Sequence, residues 1–152
     1  MRAVIQRVSR ASVTVGSEMI SSIGRGICVL VGITREDGPE DVEYIVRKLI
    51  NLRIFENSET GKRWDKSVKD LQLEILCVSQ FTLHSKIKGN TLDFHRAMDP
   101  QKAPDFYANF MNVLGKEYDA DKIKDGQFGA MMSVSIENDG PVTITIDSKN
   151  RE

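Results

Sequence analysis

The sequence predicts a single α+β domain of mostly antiparallel, barrel-like sheets with two principal helices. Three observations predict it. Stretches with period-two alternation stand at both ends of the chain, and two stretches with helical spacing separate the strands between them. No repeat, linker or low-complexity tract interrupts that order. The 152 residues fit one domain, 1–152, with enough chain to bury a real core.

Residues 2–15 read as strands, with Val13 and Val15 on the face opposite Ser12 and Thr14. Glycines 16, 24 and 26 punctuate a meander that leads into ICVLVGI, a continuous apolar run suited to a central strand. Asp37-Gly38-Pro39 opens a helix, where proline's missing N–H is no loss. Val42, Ile45, Val46, Leu49 and Ile50 then follow one apolar helical face. LRIFE (52–56) reads as another strand and NSETGK as a turn. LEILCV (73–78) is a buried strand that runs straight into Ser79-Gln80-Phe81-Thr82-Leu83, and a basic, glycine-containing loop follows from His84 to Asn90. A second helix begins near Pro104, burying Phe106, Phe110, Val113 and Leu114. Lys124-Asp125-Gly126 reads as a turn. MMSVSIE and VTITID read as two strands joined by Asn138-Asp139-Gly140-Pro141, a place where proline suits a strand's start or edge.

Composition is that of an ordinary soluble protein, 40% hydrophobic and 28% charged. The net charge of −1 means that any nucleic-acid contact must come from a local patch. The first fifteen residues hold no continuous apolar segment of a secretory signal, and no run approaches a membrane span. Cys28 and Cys77 sit inside apolar runs without Cys-x-x-Cys spacing, so core thiols in a reducing, cytoplasmic compartment are expected.

Phosphate-loop, dinucleotide and zinc-protease motifs are absent, and His84 and His95 have no cysteine cluster near them. The residues therefore point to no metal and no cofactor. A hydroxyl nucleophile is conceivable at Ser79 or Thr82, because in an extended segment Thr82 and His84 share a face. A nucleophile also needs a group that orients its base, and none is evident; strand-end capping is the other reading. Lys86 and Lys88, with Arg96 and Lys102 beyond, are either solvated or placed for phosphates. Gly140-Pro141 alone signals only a turn.

Taken together, MRAVIQRV, SQFTL, KGN followed by DFHRAM, DGQFGAMM and NDGPVT resemble the D-aminoacyl-tRNA deacylase family along nearly the whole chain, most of all its eukaryotic members. The resemblance implies a carboxylic ester hydrolase that frees D-amino acids mischarged onto tRNA, a proofreading activity. It implies a homodimer with active sites at the interface, no cofactor, and a Gly-cisPro pair from one subunit inserted into the other's pocket. On this sequence the pocket would comprise Ser79, Gln80, Phe81 and Thr82, with Phe128 and Met132 as lining. Gly140 and Pro141 would supply the chiral wedge and Arg7 its brace. An acceptor pair there would hold the substrate's α-amino group and fill the volume an L side chain needs. Glycine has no side chain to exclude, so glycyl-tRNA should be cleaved too. The family's chemistry has been read with the counterpart of Thr82 as nucleophile, or with the substrate's own ribose hydroxyl assisting. The missing base and orienter favour the second, with Phe81 and Thr82 acting through backbone N–H groups. The basic loop, Lys86 and Lys88, is the candidate tRNA contact. The chain departs from the family where a proline often follows KGN; here Thr91-Leu92 stand before Asp93. Two other functions fit the residues: a nucleic-acid-binding module without catalysis, or a small-molecule D-amino-ester esterase using Thr82.

Overall fold

Strand β1 (Arg2–Val15) runs through the middle of the sheet with partners along both edges in the computed structural model, which describes residues 1–152. On one edge it pairs antiparallel with β2 (Glu18–Ile23) and β3 (Gly26–Gly32); on the other it pairs with β8 (Ser133–Asp147). Its buried residues are Ala3, Ile5, Val8, Ala11 and Val13, so the alternation slips on either side of Val8. Pairing with β8 slips at the same places, between Gln6 and Val8 and between Val8 and Arg10. A bulge re-phases the side chains and lets one long strand keep its apolar groups inward while bending.

The far side of β3 is parallel. β4 (Glu74–Ser79) pairs in parallel with β3, and β7 (Ile123–Asp125) with β4. The sheet is therefore mixed, antiparallel around β1 and parallel beyond β3. Its curl returns β2 to the neighbourhood of β7, where Ser21 Oγ donates to the Asp125 carbonyl at 2.7 Å and nearly closes a barrel. Ile27, Val29, Val31, Ile75 and Cys77 pack in the larger core with α1 (Pro39–Asn51) and α3 (Ala103–Glu117). Cys28, Leu76 and Val78 pack with Val8 and Val13 in a second cluster. Strands covered on both faces need no polar alternation, which is why these two segments read as continuous apolar runs. Both cysteines are buried and unpaired; burial pushes the Cys28 thiol up to about 11 and raises the Cys77 thiol well above its ordinary range.

Several local readings change. LRIFE is not a strand: the segment joins no sheet, Ile54 and Phe55 are both buried in the core from irregular backbone, and only Phe55 forms a bridge, to Lys66. A short α2 (Val68–Leu71) follows, capped by Ser67, whose hydroxyl accepts the Asp70 N–H at 3.1 Å. The basic loop is a hairpin of β5 (Lys86–Lys88) and β6 (Thr91–Asp93), with Gly89 at φ +61 in its two-residue turn. Lys124 and Asp125 belong to β7 rather than to a turn. Residues 138–141 do not reverse the chain. They bulge from a single continuous strand, both halves of which pair with β1.

The start of α1 is tied to the chain's ends. The Asp41 carboxylate accepts from the Gly38 N–H at 2.9 Å, from Ser148 Oγ at 2.6 Å and from Lys149 Nζ at 2.9 Å. The Met1 ammonium bonds Asp37 and Ser148, both at 2.6 Å. Burial alone would raise the Asp41 pKa, but the bonds from Ser148, Gly38 and Lys149 together hold it at about 2. A carboxylate depressed in the folded state stabilises the fold above its unfolded pKa, and that contribution is lost as pH falls through the folded one. The depression corresponds to about 2 kcal/mol. Urea unfolding of wild type and Asp41→Asn at pH 6 and pH 3 is expected to show a smaller acid loss in the variant, along with lower stability at pH 6. Equal acid loss in both would place the acid-sensitive group elsewhere.

Candidate active site

The parallel strands β3 and β4 end side by side, and the chain leaves β4 through a tight turn. Gln80 N donates to the Val31 carbonyl at 2.7 Å, and Phe81–His84 form one turn of 3₁₀ helix. The turn lies close against β3: a Cβ on Gly32 would meet Leu83 Cβ at 2.8 Å and the Gln80 carbonyl at 3.1 Å. Glycine at this position is what lets the turn sit there.

Beside the turn is an apolar pocket of about 520 Å³. Ser79, Gln80 and Phe81 line it together with Phe128 to Met132, Met98 and Ala103, and Val31, Ile33, Val78 and Val134. Phe81 is 57% exposed and meets Phe94 edge-on at 5.0 Å. Phe128 leans on Tyr107 at 5.6 Å, and Tyr107 is anchored by its hydroxyl, which donates to Asp125 Oδ1 at 2.8 Å. Burial raises the Asp125 pKa despite that bond and the Gly126 N–H. Met131 stands 91% exposed at the mouth. The pocket thus joins Ser79, Gln80, Phe81, Phe128 and Met132 from segments distant in sequence. It also includes Met98, Ala103 and residues 129–131, which no periodicity marks.

Thr82 is outside the lining, and the pairing with His84 does not form. A 3₁₀ turn has three residues per turn, so positions two apart face different ways, unlike those of an extended strand. Thr82 Oγ1 accepts from Gln80 Nε2 instead. His84 is buried with Nε2 unpartnered, and burial lowers its pKa, with the Gly32 backbone pulling the other way. What the turn offers chemically is backbone: the first N–H groups of a helical turn, here Phe81 and Thr82, cannot be satisfied by the turn itself.

The remaining candidates lie elsewhere. Lys88 is ion-paired to Asp93 and Lys86 is exposed; neither lines the pocket. Gly140 and Pro141 are exposed, and the peptide between them is cis. Arg7 holds the bulge from beneath, donating through Nε to the Asp139 carbonyl at 3.2 Å and through Nη1 to the Ile54 carbonyl at 2.6 Å. From Val134 at the pocket to Gly140 is six residues of strand, roughly 20 Å.

Residues 4–147 match the family described as D-Tyr-tRNA(Tyr) deacylase. The chain belongs to that family. This deacylase is 60% identical over 152 residues to a D-aminoacyl-tRNA deacylase of Drosophila melanogaster, covering 100% of this chain and 95% of the relative. It is 60% identical over 148 residues to D-aminoacyl-tRNA deacylase 1 of Homo sapiens, covering 97% and 70%. The solved structure of a c-Myc DNA Unwinding Element Binding Protein superposes with a TM-score of 0.93 at 59% identity, covering 97% of this chain and 98% of that one. As a family member the protein is an enzyme, a hydrolase of the D-aminoacyl-tRNA deacylase type. No helix in it is long and apolar enough to cross a membrane.

Proposed function

We propose that this deacylase cleaves the ester between a D-amino acid and the terminal ribose of tRNA, and cleaves glycyl-tRNA beside it, while Gly140-Pro141 of a second copy excludes L-aminoacyl esters. The observation that carries the reading is an apolar pocket of about 520 Å³, roomy enough for an aminoacyl group, edged by an N–H-bearing turn with no side-chain base at hand. In such a site the protein positions the ester, and the Phe81 and Thr82 N–H groups stabilise the developing oxyanion. Water adds to the carbonyl carbon, the bond to the ribose oxygen breaks, and the vicinal ribose hydroxyl relays the proton to the departing oxygen. Lys86 and Lys88 contact phosphates of the acceptor end.

Two features support a homodimer with shared sites. Strand β8 pairs only with β1, which leaves a long free edge for another chain. Gly140-Pro141 lies too far along that strand to serve its own pocket. Exclusion by a neighbour's main chain is selective because backbone held in a sheet has no rotamers to yield with.

Deacylation of matched D-, L- and glycyl-tRNAs tests the whole reading. D-aminoacyl- and glycyl-tRNA are expected to be cleaved and L-aminoacyl-tRNA spared. Glycyl-tRNA as resistant as the L form would sink the exclusion account. Thr82→Ala is expected to keep kcat within about threefold, well short of the 10²-fold or greater loss expected for a nucleophile or oxyanion donor. A substrate lacking the vicinal ribose hydroxyl should lose hydrolysis by wild type. Loss of activity in Thr82→Ala, with the hydroxyl-free substrate still cleaved, would restore the threonine nucleophile.

A second reading, binding at DNA, has one specific support: the 59% identical protein of known structure is named for binding a DNA unwinding element. Duplex binding with steep salt dependence and no ester hydrolysis would favour it. Hydrolysis of simple D-amino esters that matches the rate on tRNA would favour a small-molecule esterase.

A further inference from the structure

We infer that a polar cavity behind the active-site turn, walled by Arg35, Arg96 and the buried imidazole of His84, is an anion site that takes a backbone phosphate of the tRNA end. This rests on the function proposed above. The cavity measures about 410 Å³ and no apolar residue lines it. Four cations, Arg2, Arg35, Arg96 and Lys149, face it against two carboxylates, Glu36 and Asp147, in a chain whose net charge is −1.

Two of the cations are already engaged. Arg2 binds Asp147 at 2.9 Å and donates to the Leu83 carbonyl at 2.8 Å, and Lys149 binds Asp41 at 2.9 Å. Arg35 and Arg96 enter no ion pair. The fold nonetheless holds them together: Arg35 N donates to the Arg96 carbonyl at 3.2 Å, beside the Thr34–Ala97 bridge. Both side chains are solvent-exposed at the cavity's rim and free of a carboxylate, and a phosphate suits their planar donor forks.

The second, independent observation is His84. Only 5% of it is exposed, and Nε2 is the buried side-chain nitrogen or oxygen that has no hydrogen-bond partner. A buried polar atom without a partner is costly and calls for an explanation. With Nδ1–H given to the Gly32 carbonyl, Nε2 carries a hydrogen only in the imidazolium, and in that form it would donate to an anion oxygen in this cavity and be completed by it. A nearby negative charge would also counter the burial that holds the imidazole neutral.

Position selects the source of the phosphate. The turn that places Phe81 in the catalytic pocket places His84 in this cavity, about 6 Å further on at 3₁₀ rise. Likewise Ile33 lines the pocket and Thr34 the cavity. An ester in the first and a phosphate of the same nucleotide chain in the second are within one substrate's reach.

The test has two arms. In the full-length protein, inorganic phosphate added at constant ionic strength against chloride is expected to shift the His84 ring resonances saturably. The Arg35→Ala/Arg96→Ala variant should weaken that titration by about tenfold or more, and the Lys/Lys variant should restore part of it. A His84 signal that moves no more in phosphate than in chloride overturns the site. In the second arm, the same Ala/Ala variant should raise KM for D-aminoacyl-tRNA about tenfold with kcat within about twofold. Phosphate should inhibit wild type on D-aminoacyl-tRNA but not on phosphate-free D-aminoacyl-adenosine. Saturable binding with KM unmoved overturns the tRNA assignment. If D-aminoacyl-tRNA is not cleaved at all, the proposed function fails, while the first arm still decides the cavity.

Discussion

Gly32→Ala is expected to cut kcat/KM for D-aminoacyl-tRNA by about a hundredfold while leaving the protein folded. The added methyl carbon would stand 2.8 Å from Leu83 Cβ, 3.0 Å from His84 Cδ2 and 3.1 Å from the Gln80 carbonyl oxygen. A carbonyl cannot swing aside as a side chain does, so the 3₁₀ turn itself must retreat. Overpacking of this kind costs about 1–3 kcal/mol, less than a typical domain's stability. The catalytic cost is larger, because a displacement of about 1 Å in a positioned donor can lose on the order of 10²-fold in rate. Steady-state kinetics beside a thermal melt separates the two effects. Gly24→Ala is the matched control: its Cβ would meet nothing nearer than Glu74 Oε1 at 3.5 Å, and both quantities should stay near wild type. Full activity in Gly32→Ala would show that the position of the Phe81–His84 turn does not govern the reaction.

The helices and the central strands were legible because their signals are local. Pro39 at the start of α1 and the spacing Val42, Ile45, Val46, Leu49, Ile50 place that helix within a residue of where it lies. For α3 the spacing found Phe110 and Leu114 but passed over Tyr107, whose ring is buried while its hydroxyl reaches Asp125. The direction of pairing was not legible. ICVLVGI and LEILCV announce burial on both faces, yet an apolar run carries no mark of whether its neighbour runs parallel. LRIFE misled because its β-prone composition says nothing of Ile54 and Phe55 pointing into one core from an irregular segment. Gly140-Pro141 misled in the opposite sense. Its turn chemistry is real, but the chain uses it to bulge a strand rather than to reverse it.

The site divides in the same way. The pocket's residues were reachable only through the resemblance carried by SQFTL and DGQFGAMM, since a loop such as 127–131 has no period to read. The reading of Thr82 and His84 as a pair failed on one local fact, the 3₁₀ turn, which nothing in FTLH itself demands. Of the cavity at Arg35, Arg96 and His84, the sequence marked only Arg96, as one of several basic residues open to phosphates, and nothing joined it to Arg35 or His84. The cavity's cations meet because the segment after β3 bridges the segment before α3, a long-range contact.

Arg7→Ala is expected to lower the ratio of D- to L-aminoacyl-tRNA hydrolysis by about tenfold or more. The effect should fall on the L rate, which rises, more than on the D rate. Arg7 ties the 138–141 bulge to the body of the domain at Asp139, beyond the point where Asn138 pairs with Val8. One guanidinium edge holds the Asp139 carbonyl, with the Asp139 carboxylate 3.3 Å from Nε, and the other holds the Ile54 carbonyl. The same group lies against Gly140, where a Cβ would stand 3.1 Å from Nη2. Hydrogen bonds from a charged donor contribute roughly 1.5–3 kcal/mol each, and about 1.4 kcal/mol is a factor of ten in selectivity. A wedge that excludes by position loses discrimination when its support is loosened, even if it still enters the neighbouring pocket. Arg7→Lys should fall between the two, because an ammonium cannot hold two carbonyls in one planar fork. Arg10→Ala, on the same strand, removes only an exposed pair with Glu137 and should leave the ratio unchanged. The readout is kcat/KM for D- and L-charged forms of one tRNA. An unchanged ratio in Arg7→Ala would mean that chirality is judged inside the pocket itself, at Phe81 and Phe128, and not by the bulge that Arg7 supports.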